Sequence, residues 1–227
     1  MKFTWMKWGA LPVAVLMAGS VAMAQDQPAS GSQQPAPAPA ATPAPAPAAQ
    51  TKPTVAQRKE NQQDRIANGV QSGQLTAGET ANLEKKEAAI NKETAADRAA
   101  NGGKLTAAEK KQVNQQQNKV SKQIYADKHN ANTAHYGNNK VGQRRENQQD
   151  RIAQGIKSGQ MTAGEAAKAE KQQKGINKQV AADRKANGGT LTASEKKQIN
   201  KEQNGASKNI YNKKHNAKTQ PQAQPKP

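Results

Sequence analysis

Cysteine is absent from the chain's 227 residues, so disulfide staples, thiolate metal sites and a cysteine nucleophile are excluded. Aromatic residues amount to 3%, too few for an aromatic core or a ladder of base-stacking platforms. Apolar residues reach 33%, against an average of about 45–50% that also counts glycine. Most of that third is alanine, which fills a helix without building much core, and the mean hydropathy is −1.05. No Gly-rich phosphate loop follows a strand pattern, and no convincing Ser, His and Asp set is present. The carboxylates fall mostly in capping boxes or beside lysines and arginines at helix spacing. The chain reads as no enzyme, and no cofactor is expected.

What is present is a repeat. Gly73-Gln74-Leu75-Thr76-Ala77-Gly78-Glu79 sets the pattern Gly-x-Leu/Met-Thr-x-x-Glu, which returns at Gly103–Glu109, Gly159–Glu165 and Gly189–Glu195. Glycine takes the left-handed conformation that ends one helix. Threonine then caps the next helix, and the glutamate three residues on reaches back to the threonine N–H. Thr76 with Glu79, Thr106 with Glu109, Thr162 with Glu165, and Thr192 with Glu195 are the predicted structural caps. The Leu or Met before each threonine is placed as a hydrophobic staple. Four such boundaries predict an all-α chain.

Residues 1–24 read as a signal peptide, with Lys2 and Lys7 ahead of a short apolar run and Ala22-Met23-Ala24 as cleavage site. The run is too short for a comfortable membrane span, and no cysteine follows to carry a lipid. A soluble periplasmic or secreted protein is expected, with no transmembrane segment in its mature form. Residues 25–53 form a Pro/Ala-rich stretch, expected to be a disordered linker of extended, polyproline-like character. Residues 221–227 are expected to be a disordered tail.

Between these termini lies a duplication. Val55-Ala-Gln-Arg-Lys-Glu-Asn-Gln-Gln-Asp-Arg-Ile-Ala67 reappears as Val141-Gly-Gln-Arg-Arg-Glu-Asn-Gln-Gln-Asp-Arg-Ile-Ala153, and the match runs on to Ile124-Tyr125 and Ile210-Tyr211. Two tandem three-helix modules are predicted, 54–137 and 138–220. In the first, helices should run from Thr54 to Gly73, from Thr76 to about Asn101 and from Thr106 to about Asn130. Ile66, Val70, Leu75, Leu83, Ile90, Leu105, Val113, Val120, Ile124 and Tyr125 supply the core, a stripe as narrow as a coiled-coil seam. The second module looks weaker: Ala169 stands for Leu83, Ala206 for Val120, and Gly175 and Gly205 enter helix interiors. A partner, self-association or a polyanion is expected to complete its order.

Charge is uneven. Net charge is +18, and falls to +16 if Lys2 and Lys7 leave with the signal peptide. Residues 55–137 hold 13 Lys and Arg against 9 Asp and Glu, whereas residues 138–220 hold 18 against 7. Arg144, Arg145, Lys196, Lys197, Lys201, Lys208, Lys213, Lys214 and Lys218 are the candidate polyanion-binding residues. Lysine predominates over arginine in this module, which suits diffuse attraction better than bidentate recognition. In the compartment a signal peptide implies, the partners expected are anionic polymers: lipopolysaccharide, acidic polysaccharide or extracellular DNA. The alternative is a structural or chaperone-like, stress-protective periplasmic protein that docks other proteins through Ala-rich helix faces.

Two constellations resemble sites. Counting back from Glu79, Gly73 and Leu75 fall at the sixth and eighth positions of a twelve-residue loop, as they do in EF-hands. The ligand positions, however, are Asn68, Val70 and Ser72 in the first loop, and Arg98 and Arg184 take the first position in the second and fourth. The resemblance implies a degenerate, ligand-less helix-turn-helix, and no metal is expected. Tyr125 with His129, and Tyr211 with His215, share a helical face; the tyrosine is expected at the packed seam and the histidine at its polar edge. The chain is similar to uncharacterised exported bacterial proteins with a signal peptide, a Pro/Ala linker and tandem Gly-x-Leu-Thr-x-x-Glu helical repeats, a resemblance that implies no activity. In composition alone it is similar to small, basic, Ala/Lys/Gln-rich periplasmic acid-shock proteins, which supports envelope protection as the second role.

Overall fold

The computed structural model describes residues 52–220. The expectations for the signal peptide, for the linker up to residue 51 and for the 221–227 tail lie outside the described residues. Among those described there are six helices and no strand: α1 Val55–Gln71, α2 Ala77–Ala100, α3 Ala107–Lys128, α4 Lys140–Lys157, α5 Ala163–Ala186 and α6 Ala193–Lys214. The protein is all-α.

Each repeated boundary has the same chemistry. The Glu79 carboxylate accepts from Thr76 N at 2.9 Å, while Thr76 Oγ1 accepts from Glu79 N at 3.3 Å. Thr106 with Glu109, Thr162 with Glu165 and Thr192 with Glu195 repeat this reciprocal pair. It satisfies two of the amides that every helix start leaves open. The preceding glycines, Gly73, Gly103, Gly159 and Gly189, have φ of 72°, 86°, 69° and 93°, a region open to glycine at little cost. α1 carries its own capping box from Thr54 and Gln57. At the same place in the second half stands Lys140, so α4 starts instead on Asn139, whose Oδ1 accepts from Gly142 N at 3.0 Å.

The two three-helix halves do not stand apart. All six helices fall in one compact unit, Gln50–Pro227, and the most extensive interfaces are α2 with α5 and α1 with α4, each helix against its own counterpart. α3 packs on α1 and α2, and α6 on α4 and α5. The contacts are reciprocal: Gly78 approaches Lys174, and its counterpart Gly164 approaches Ala88, the counterpart of Lys174. Such self-complementary pairing is what a two-fold relation produces. One core cluster joins Ile66, Leu83, Val113 and Ile124 of the first half to Ile152, Ile156, Met161, Ala169 and Ile210 of the second. The second half therefore shares its core with the first. Ala163, Ala166 and Ala169 are buried there; as small side chains they let the central helices approach closely.

Polar side chains complete this interior. Gln62 Nε2 donates to the Gln117 carbonyl at 2.7 Å, and Gln117 Nε2 to the Val55 carbonyl at 2.9 Å. Gln148 and Gln203 repeat both bonds at 2.7 and 2.9 Å in the second half. Each of these amide nitrogens finds a backbone carbonyl, while Oε1 of Gln62, Gln117 and Gln203 is buried without a partner.

One sequence expectation is corrected. Tyr125 and Tyr211 are not core residues: they are 62% and 55% exposed. Ile124 and Ile210 occupy the buried face, and the next residue points about 100° away on a helix. Each tyrosine stacks instead on the histidine one turn on, with ring centroids 4.1 Å apart.

Candidate functional site

The basic second half presents two surfaces. The first is a depression of about 820 Å³ where the start of α4, the end of α5 and the Gly189–Leu191 turn meet. Lys140 and Arg144 from α4, Arg184 from α5 and Lys196 from α6 ring it, over a floor of Val141 and Leu191. Arg144 donates to Asn200 Oδ1 at 3.3 Å and to Asn204 Oδ1 at 2.6 Å. These amide oxygens orient the guanidinium without neutralising it. The second surface is the outer face of α6, where exposed Lys197, Lys201 and Lys208 recur at helical spacing with Tyr211 and His215.

The remaining predicted cations lie elsewhere. Lys213 and Lys214 are half-buried; burial, reinforced by nearby Arg151, lowers the Lys214 pKa. The Lys214 methylenes cover Gly155. Lys218 is exposed beyond α6, its N–H bonded to Asn216 Oδ1 at 2.8 Å. Arg145 is a correction: it is 5% exposed and cannot reach a polymer. Its guanidinium donates to Asn177 Oδ1 at 3.1 Å and to the Tyr136 carbonyl at 2.7 Å, and lies 5.4 Å from the Tyr136 ring centroid. Burial, with Arg184 nearby, pulls its pKa down. Lys140 and Arg184 were not among the predicted residues. Lys140 stands alone at a helix start, and Arg184 reads as a last-turn helix charge, so only the fold brings them together.

Between the halves lies a buried acidic layer that the sequence did not announce. Glu84 and Glu170 are both fully buried; Gln63 Nε2 donates to Glu84 Oε2 at 3.2 Å and Gln149 Nε2 to Glu170 Oε2 at 2.8 Å. Burial pushes Glu170 up to about 8 against the Gln149 hydrogen bond. Burial also raises Glu84 strongly, with help from Glu87 and Glu170. Glu87 is pushed up to about 7 by burial, offset in part by Lys59. An isolated buried carboxylate is costly, so these groups hold protons well above the ordinary carboxyl range.

Two clefts flank the central helices, one at the start of α5 and the other at the start of α2. Among the described residues no group of three His, Cys, Asp or Glu side chains is placed to hold a metal ion, and no helix is long and apolar enough to cross a membrane. No protein-family model, curated protein or solved structure matches the chain.

Proposed function

We propose that this is an exported, non-enzymatic helical protein that binds anionic envelope or extracellular polymers through its basic second half. Export rests on the signal-peptide pattern of residues 1–24, and kinship with exported Gly-x-Leu-Thr-x-x-Glu repeat proteins belongs to the same proposal. The observation that carries the reading is the ring of Lys140, Arg144, Arg184 and Lys196, in a half that also exposes Lys197, Lys201 and Lys208 on α6. Positive groups gathered on one surface raise the local concentration of anions and steer their approach. Lysines with flexible stems suit a polymer of irregular phosphate or carboxylate spacing. Docking of other proteins through Ala-rich faces has less surface to work with, because Ala163, Ala166 and Ala169 are inside.

The test is retention of the intact protein on immobilised lipopolysaccharide. Replacing Lys140, Lys196, Lys197 and Lys201 by Gln should move elution to clearly lower salt. The same number of changes in the first half, at Lys85, Lys110, Lys111 and Lys122, should move it much less. Equal effects from both sets would refute a binding face in the second half.

A further inference from the structure

The duplication supplies an internal control for one buried cation. Lys59 in the first half and Arg145 in the second hold the same place in the repeat. Lys59 is answered by Glu87, but in the second half Gln173 stands where Glu87 does. Arg145 is buried all the same, and its guanidinium bonds two neutral groups, the Asn177 side chain and the Tyr136 carbonyl. Its Nε is buried without a partner, and so is the Tyr136 hydroxyl. A buried charge is costly unless an opposite charge meets it. The second half is short of an anion.

Arg145 forms the floor of the cleft of about 420 Å³ at the start of α2. Exposed Lys174 and Lys178 and half-buried Arg184 stand around it. Lys174 reaches over the first turn of α2, where a Cβ at Gly78 would lie 3.4 Å from its Nζ. That turn is the positive end of the helix, with amides that no intrahelical acceptor uses. No Asp or Glu lines the cleft; the capping Glu79 is turned to Thr76, Asn130 and Asn132. The wall at Tyr136 is pinned from both sides. Ala134 N donates to the Gly73 carbonyl at 2.9 Å, and a Cβ at Gly142 would lie 2.1 Å from the Tyr136 and Gly137 carbonyl oxygens. The counterpart of Lys174 in the first half is Ala88, so this gathering of cations is not a by-product of the repeat.

We propose that the cleft binds the phosphate group of a small phosphate monoester, seated between Arg145, Lys174, Arg184 and the first turn of α2. Three cations and a helix start suit a dianion better than the single charge of a carboxylate. The cleft is roomier than a bare ion needs and falls within the ~300–1,000 Å³ of ordinary small-molecule pockets, so the phosphate is carried on an organic group. The site stands apart from the polymer-binding surface except at Arg184, which lines both.

The probe is glycerol 3-phosphate, titrated into the intact protein in phosphate-free buffer while backbone amide NMR signals are followed. Saturable shifts are expected at Ala77, Gly78 and Ala181, with inorganic phosphate several-fold weaker at the same signals and glycerol giving none. Arg184→Gln should weaken the ester about tenfold, the scale of one charge-assisted hydrogen bond, and Lys174→Gln several-fold. Gln173→Glu offers Arg145 the carboxylate that Glu87 offers Lys59, and should remove most of the binding. Circular dichroism reports whether that variant stays folded, and Lys174→Gln decides the matter if it does not. Lys197→Gln with Lys201→Gln, on the outer face of α6, should leave the affinity within about twofold, since distant exposed charges are screened. No saturable shift at millimolar probe, insensitivity to Lys174→Gln, or an equal loss from the α6 pair would overturn the site. Inorganic phosphate binding as tightly as the ester would overturn the ester in favour of the free ion.

Discussion

Glu84 and Glu170 occupy the same position in the two halves of a duplicated sequence, and both are sealed in the interior with a glutamine side chain holding one oxygen. Their remaining oxygens have no hydrogen-bond partner. Each places a proton-binding group in the interface that makes one unit of the two halves. The interface is thereby linked to pH.

The first prediction follows from the sign of that linkage. A carboxyl whose folded pKa lies above its unfolded value adds stability while it is protonated, and loses it as pH rises through the folded pKa. With Glu87 at about 7 and Glu170 at about 8, thermal stability should fall as pH climbs from 5 to 9. A tenfold change in proton affinity between the folded and unfolded chain is worth about 1.4 kcal/mol. Glu87→Gln and Glu170→Gln should therefore each recover a few kcal/mol at pH 9 and little at pH 5. The second half already carries Gln173 at the position of Glu87, which shows that the amide fits. Melting curves across that pH range check it, and parallel pH profiles for wild type and both variants would contradict it.

At the acid end the capping carboxylates act in the opposite direction. For Glu79, burial opposes ionisation, but hydrogen bonds from Thr76, Asn130 and Asn132 hold its pKa below the ordinary value. Glu165 behaves alike: burial opposes ionisation, and hydrogen bonds from Asn216 and Thr162 outweigh it. Stability from these groups is complete above the ordinary glutamate pKa and is lost as pH falls through their lowered pKa. Glu79→Gln with Glu165→Gln should flatten the acid limb of the melting profile and leave the alkaline limb unchanged.

Gly175 and Gly205 offer a stabilising change. A Cβ at either position meets no atom within 4 Å, and both sit inside helices α5 and α6. Substitution by alanine should add about 1 kcal/mol at each site, read as a higher denaturation midpoint with unchanged slope. A drop in the midpoint would mean that α5 and α6 leave no room for the added methyl groups.

The neighbours Ile210 and Tyr211 should separate sharply. Ile210→Ala removes a fully buried side chain and should cost about 2–5 kcal/mol. Tyr211→Ala removes an exposed one and should change stability by about 0.5 kcal/mol or less. Chemical denaturation of the two variants decides it, and a large loss from Tyr211→Ala would restore that residue to the core.

Local signals are legible in the sequence, and signals that depend on two distant segments are not. Thr76 and Glu79 interact across three residues, so their spacing alone foretells the boundary, and likewise at the other three. Tyr125 reads as core because it adjoins Ile124, and apolar periodicity resolves a face poorly when the stripe is one residue wide. Ala169 looks like a lost leucine; beside α2 it is the small residue that lets two counterpart helices meet. Glu84 and Glu170 look like surface charges, since a polar residue on a sparse helix carries no mark of what will cover it. Arg145 falls among the surface cations for the same reason. The ring of Lys140, Arg144, Arg184 and Lys196 draws on three helices, so the basic stretch itself reveals only Arg144 and Lys196.

The most direct measurement is the affinity of the intact protein for purified lipopolysaccharide as salt rises between about 50 and 200 mM. Binding through the basic second half predicts a steep fall, and a much shallower one when Lys140, Lys196, Lys197 and Lys201 are replaced by Gln. An affinity indifferent to salt, or a slope unchanged by those replacements, would contradict it.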